Sequence, residues 1–158
     1  MEERFADTLN ELLVDTYRNV NKVEEAMLRS TSGLDLTISE LHLIETVAQD
    51  GARGRTISQI AQRQELTLPS VTVAVNKLVK KGYVEKVRCE DDGRRVYVRV
   101  TEKGRRADAV HRYFHRQMVR SVLKEIDPKD HGALLRCLSS LNAFFHRRAQ
   151  EMQAAAPQ

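Results

Sequence analysis

Residues 66–86, LTLPSVTVAVNKLVKKGYVEK, carry two apolar periods that cannot both describe one element. Val71, Val73 and Val75 alternate as in a half-buried strand, whereas Val71, Ala74, Val75 and Leu78 follow the i, i+3, i+4, i+7 spacing of an amphipathic helix. The ends of the stretch decide between them. Thr67 is a competent N-cap, and Pro69, lacking a backbone N–H, is tolerated in a first helical turn but is awkward inside a strand. Gly82, after Lys80 and Lys81, supplies a stop with cations where the helix dipole favours them. The stretch is therefore read as a helix. Its outer face then holds Pro69, Ser70, Thr72, Val73, Asn76 and Lys77, an unusual selection for a face that only meets water.

The flanking sequence sets this helix in order. Residues 5–30 read as a long amphipathic helix with Phe5, Leu9, Leu12, Leu13, Val20, Val23 and Met27 on one side, ended by Gly33. Thr37 or Ser39 caps a second helix carrying Leu41, Ile44, Val47 and Ala48, and GARGR is a basic loop. Thr56, with Gln59 at the capping-box position, starts a short helix whose buried side is Ile57, Ile60 and Ala61. After Gly82 the period becomes two: YVEKVR and RVYVRVT flank CEDDGR, which predicts a β-hairpin with a charged tip. Thr101 caps a long helix from Glu102 to about Lys124, and Asp127 with Pro128 starts the last one.

The order helix, helix, short helix, longer helix, hairpin is that of a winged helix-turn-helix, and charge agrees with it. Residues 1–50 hold 4 basic and 11 acidic side chains (net −7), residues 51–106 hold 14 and 6 (+8), and residues 107–158 hold 8 and 5 (+3). Positive charge gathered in the middle third is suited to a polyanion. Ser70, Thr72 and Asn76 are short hydrogen-bonding side chains able to reach base edges, Val73 or Pro69 can touch a thymine methyl, and Lys77, Lys80 and Lys81 sit nearer phosphates. No run of eighteen apolar residues occurs, and MEERFADTLN is acidic where a secretory signal would be basic, so a cytoplasmic protein with no membrane partner is expected. No GxSxG, P-loop, GxGxxG or HExxH is present, which argues against an enzyme. Cys89 and Cys137 form no CxxC; Cys137, within LLRCL, is expected in the core, and Cys89 lies beside the cations Lys86 and Arg88 that redox-active thiols need.

Residues 57–106, from ISQIAQRQELT to VTEKGRR, resemble the core of the MarR family of bacterial transcription regulators: the helix-ending Lys-Lys-Gly, the Asp92-Gly93-Arg94 of the wing and VTEKG all match. The resemblance implies a fold that is mainly α with a small β-hairpin wing. In it a winged helix-turn-helix at 35–101 is flanked by helical dimerisation regions at 1–34 and 102–152, and 153–158 is a frayed tail. It implies a homodimer that sets two recognition helices into a pseudo-palindromic operator in double-stranded DNA, with Arg94 reaching a minor groove and Asp92 orienting it. Ser58, Thr67, Arg88 and Arg95 complete the candidate DNA-facing set. Val73 stands where the family often has a polar or basic residue, so the operator preference does not carry over.

Two effector readings follow. NVNKVEEAMLR, ISELHLIETV and YFHRQMVRSVL look most like the family's fatty-acid-biosynthesis repressors, which implies a long-chain acyl group on acyl carrier protein as corepressor; Met27, Leu41, Ile44, Phe114 and Met118 are the candidate pocket. The competing reading starts from His111 and His115, four apart on one helix, with His42 and the carboxylates of Glu24 or Glu25 and of Glu40. Glu24, His42, His111 and His115 are similar in arrangement to the site of zinc-responsive repressors of metal uptake in the same family. No cofactor is required for either. A third reading, of another class, is a winged helix that binds protein, with an incidental basic surface.

Overall fold

A computed structural model of the chain describes residues 2–31, 33–88 and 95–155. Packing divides it into two compact units, residues 1–114 and 115–158. The first unit holds α1 (Glu2–Ser30), α2 (Ile38–Ala48), a 3-10 turn (Gly51–Arg53), β1 (Arg55–Thr56), α3 (Ile57–Gln64), α4 (Leu68–Lys80), β2 (Val84–Arg88) and β3 (Val96–Val100). α5 (Glu102–Glu125) begins in this unit and ends in the second. The second unit continues with a 3-10 turn (Pro128–Asp130) and α6 (His131–Ala155).

The contested stretch is helix. Val71, Val75 and Leu78 are fully buried along one side of α4, while Val73 is 69% exposed on the other. Full burial of each inward side chain contributes about 1.5–3 kcal/mol, a term the strand alternative forgoes by pointing Leu78 away from the face shared by Val71 and Val75. Thr67 caps the helix by accepting from Ser70 N–H at 3.3 Å, and Pro69 lies within the first two helical positions. Gly82 follows the C-terminus at φ +77°, a conformation that favours glycine. The Thr56–Gln59 capping box forms as read, and of the two candidate caps for α2 it is Thr37 that closes a box, with Glu40.

The sheet has the order β1-β3-β2, all antiparallel, with β2 and β3 in register from Val84↔Val100 to Arg88↔Val96. β1, read above only as loop and cap, pairs through Arg55↔Val98 and Thr56↔Tyr97 with the other edge of β3. The hairpin tip, residues 89–94, lies outside the described residues, and with it Cys89, Asp92 and Arg94. The core joins Leu41, Ile44 and Val47 of α2, Ile60 of α3, the inward face of α4, Tyr83, Val98 of β3 and Ala107 of α5, every one at 0% exposure. A Cβ at Gly104 would overlap the Tyr83 carbonyl, so this glycine lets α5 start hard against the chain entering β2.

The outer elements are less covered than an amphipathic reading suggests. On α1, Phe5, Leu9, Leu12 and Val23 are exposed, whereas Glu24 and Leu28 are buried. On α6, Leu135, Leu138, Phe144 and Phe145 are exposed. Cys137 is exposed too, a correction to its placement in a core: LLRCL is apolar, but nothing described covers that side of α6.

Candidate nucleic-acid interface

α4 presents the face that the sequence singled out. Pro69, Ser70, Val73, Asn76, Lys77 and Lys80 are exposed and Thr72 is half-buried. Ser58 on α3, Thr67 ahead of α4, Arg88 at the end of β2 and Arg95 ahead of β3 are exposed as well. Several of these side chains already hold a bond that limits what they can offer. Thr67 and Ser70 share a hydroxyl hydrogen bond at 2.8 Å, and Thr72 Oγ1 donates to the Leu68 carbonyl at 2.8 Å. Lys86 Nζ, from β2, donates to Asn76 Oδ1 at 2.7 Å. Lys86 escaped the sequence reading because alternation marks it only as an outward residue of a strand.

A second network anchors the C-terminal half of α4. Glu40, in the first turn of α2, accepts from Thr37 N–H at 2.8 Å, pairs with Lys81 at 3.0 Å through Oε2 and with Lys77 at 3.1 Å through Oε1. Lys81 also donates to the Asp35 carbonyl at 2.8 Å. Burial alone would raise the Glu40 carboxyl, but the Thr37 N–H and the two lysines together hold it below the ordinary glutamate value. Burial alone would lower Lys81; Glu40 and Asp35 raise it instead. Lys77 and Lys81 are thus committed within the protein, and of the three lysines read as nearer phosphates Lys80 has no such tether to Glu40.

This fold and face have close parallels. The MarR family model matches residues 34–95. Streptococcus pneumoniae FabT in complex with DNA is 33% identical, with a TM-score of 0.83, over 89% of this chain and 97% of that one. The chain belongs to the MarR family. The HTH-type transcriptional regulator YhjH of Bacillus subtilis (strain 168) is 22% identical over 99% of this chain and 86% of its own length. A MarR family protein from Bacillus stearothermophilus shares the fold at a TM-score of 0.73, with 21% identity, over 92% of this chain and 99% of that one. As a MarR-family member the chain is a DNA-binding transcriptional regulator with a winged-helix fold, in a family of regulators rather than enzymes. No described helix is long and apolar enough to cross a membrane.

This MarR-family chain also gathers a buried cluster away from α4. Glu24 of α1, His42 of α2 and His111 of α5 offer ligand atoms within 4.8 Å of one another. His111 Nε2 lies 4.0 Å from Glu24 Oε1, its Nδ1 lies 3.7 Å from Glu45 Oε2, and its ring centroid is 5.3 Å from that of His42. His115 follows one turn along the same helix. Of the carboxylates first considered, Glu25 pairs with Arg29 on the exposed side of α1 and Glu40 turns to the lysines, so neither joins the cluster. Glu45 does face His111 and was missed, although it lies one turn beyond His42 on α2. Among the apolar candidates, Leu41 and Ile44 are core residues at 0% exposure, Met27 packs against that core, and Phe114 and Met118 are half-buried.

Proposed function

We propose that the chain is a homodimeric repressor of fatty-acid or lipid synthesis genes, binding a pseudo-palindromic operator with long-chain acyl-acyl carrier protein as corepressor. The observation that carries this reading is the 33% identity to FabT across nearly the full length of both chains. Dimerisation is supported by the exposed apolar side chains of α1 and α6, which together exceed what scattered surface hydrophobics explain. DNA contact is assigned to Ser58, Thr67, Pro69, Ser70, Thr72, Val73, Asn76, Lys80, Arg88 and Arg95 together with Asp92 and Arg94 of the wing; Lys77 reaches phosphate only by leaving Glu40. An acyl chain that meets Leu41 or Ile44 has to enter between core side chains, and Met27 and Met118 are adaptable enough to yield to it. A cleft of about 440 Å³ in the first unit, rimmed by Arg99, Arg105 and Arg112, offers positive charge to an acidic carrier.

The corepressor raises operator affinity only by binding the DNA-matched conformation better than the other. A gel-shift series with acyl carrier protein carrying chains of increasing length tests the reading. Affinity should rise with long acyl chains and not with the unacylated carrier, and indifference to every species would discard the acyl reading. Steep salt dependence, about 0.9 in log K per phosphate contact, separates DNA binding from a protein-interaction module.

One observation favours a second effector. Glu24, His42 and His111, with His115 a turn beyond, form a mixed imidazole and carboxylate set of the kind zinc accepts, and two of the first three are buried. Zinc, when bound, would supply a cross-link among α1, α2 and α5. His111→Ala should then abolish a zinc-dependent gain in operator affinity while leaving the folded chain intact by circular dichroism. No zinc uptake by the wild-type chain in a competition titration would remove this alternative.

A further inference from the structure

We infer that Lys86 is a positioning residue for base readout, and that with it the recognition helix reads an ordered pair of opposite hydrogen-bonding edges. This rests on the reading that α4 enters the major groove. Asn76 alone is ambiguous, because its amide offers both an acceptor and two donors and can turn either way. The 2.7 Å contact removes that ambiguity: an ammonium only donates, so the atom it meets is Oδ1, held toward β2 by a charge-assisted bond. The Nδ2 donors are left to face outward. Thr72 has the opposite polarity. Its hydroxyl proton goes to the Leu68 carbonyl, so Oγ1 has only lone pairs left to offer.

Thr72 and Asn76 are four residues apart on one face, about 6 Å along the helix axis, which spans one or two base-pair steps. Thr72 therefore favours a base with an exocyclic amine in the major groove, cytosine N4 or adenine N6. Asn76 favours an acceptor edge, guanine O6 or N7 or thymine O4, in place of the two-bond adenine contact that a freely turning asparagine makes. Lys86 touches no base in this scheme and acts through Asn76.

The experiment selects binding sites from a random duplex pool with the full-length protein and with single variants, then measures affinity for the best site and its one-base changes. Lys86→Met should flatten the preference at one base pair by roughly tenfold, while Lys86→Arg, which keeps a donor near Oδ1, should retain it. Asn76→Asp keeps the Lys86 contact but has no donor, so the same position should switch to cytosine or adenine. Thr72→Val should lose, and Thr72→Ser keep, the amine preference one or two steps away. Lys86→Met lowering affinity equally on every sequence, with a shallower salt slope, would make Lys86 a phosphate contact and overturn the inference. A preference that depends on Asn76 but is unchanged in Lys86→Met would do the same while leaving the groove reading intact. Preferences indifferent to Thr72 and Asn76 alike would remove both.

Discussion

Replacing Glu40 by Gln separates the two jobs that its carboxylate performs. The amide keeps the shape and still accepts the Thr37 N–H, so the cap on α2 survives, but the two lysines of the α4 terminus lose their counter-charge. The Lys81 pair is the larger loss, because that side chain is 19% exposed against 57% for Lys77. A charge-assisted hydrogen bond of the first kind is worth about 1.5–3 kcal/mol and an exposed pair about 0–1 kcal/mol. Lys81 retains the Asp35 carbonyl, which lowers the cost, so about 2–3 kcal/mol is expected at neutral pH. The sign with pH is set by the two shifts. Glu40 is held below its ordinary value, so its contribution is complete above that value and disappears as pH falls through the depressed one. Lys81 is held above its ordinary value, so its contribution is complete below that value and is lost as pH rises through the raised one. Urea unfolding by circular dichroism at fixed protein concentration, from acid to neutral pH, should show the wild-type advantage shrinking toward the acid end. In DNA binding the variant should gain salt dependence, up to about 0.9 in log–log slope per protomer, as Lys77 becomes free for phosphate. A cost below about 0.5 kcal/mol at neutral pH, or one unchanged in acid, would refute this account of the network.

Other changes test the fold and the interface. Leu78→Ala should cost about 2–5 kcal/mol in chemical unfolding, whereas Val73→Ala should stay within about 0.5 kcal/mol yet alter operator preference in a site-selection assay. Gly104→Ala should destabilise by more than the roughly 0.5–1 kcal/mol that glycine normally sacrifices in a helix, because the added methyl meets the Tyr83 carbonyl; a more stable variant by thermal melting would contradict that packing. Leu138→Asp on α6 should shift sedimentation from dimer toward monomer with helix content retained, and an unchanged sedimentation coefficient would place the subunit contact elsewhere.

What was legible in the sequence was local. Thr37 with Glu40, Thr56 with Gln59, and Thr67 with Pro69 mark helix starts because a cap is made within four residues of itself. The switch of period after Gly82 marks the wing for the same reason. What escaped depends on partners distant in the chain. β1 is two residues long and exists because β3 offers a second edge. Glu65 ends α3 in the left-handed region at φ 54°, where no glycine announces the turn. Lys86 meets Asn76 across the space between β2 and α4, and Glu40 meets Lys81 across 41 residues. The apolar stripes of α1 and α6 were legible as stripes, but their exposure was not, because amphipathic period reports that a face will be covered and not by which chain.

α2 is where the two halves of the proposed function meet. Its first turn carries Glu40, which holds the end of the recognition helix, and within its next two turns come His42 and Glu45, which face His111. An eleven-residue helix with a closed capping box and most of its apolar residues buried behaves as a rigid rod, so a displacement imposed at His42 is felt at Glu40. Proximity of this kind makes coupling feasible; its size is a free energy, and linkage makes it reciprocal. If an effector at that end tightens operator binding tenfold, about 1.4 kcal/mol, operator DNA must tighten effector binding tenfold as well. Glu40→Gln, which leaves His42 and His111 untouched, should reduce both factors together, because it severs α2 from α4 without touching either ligand's own contacts.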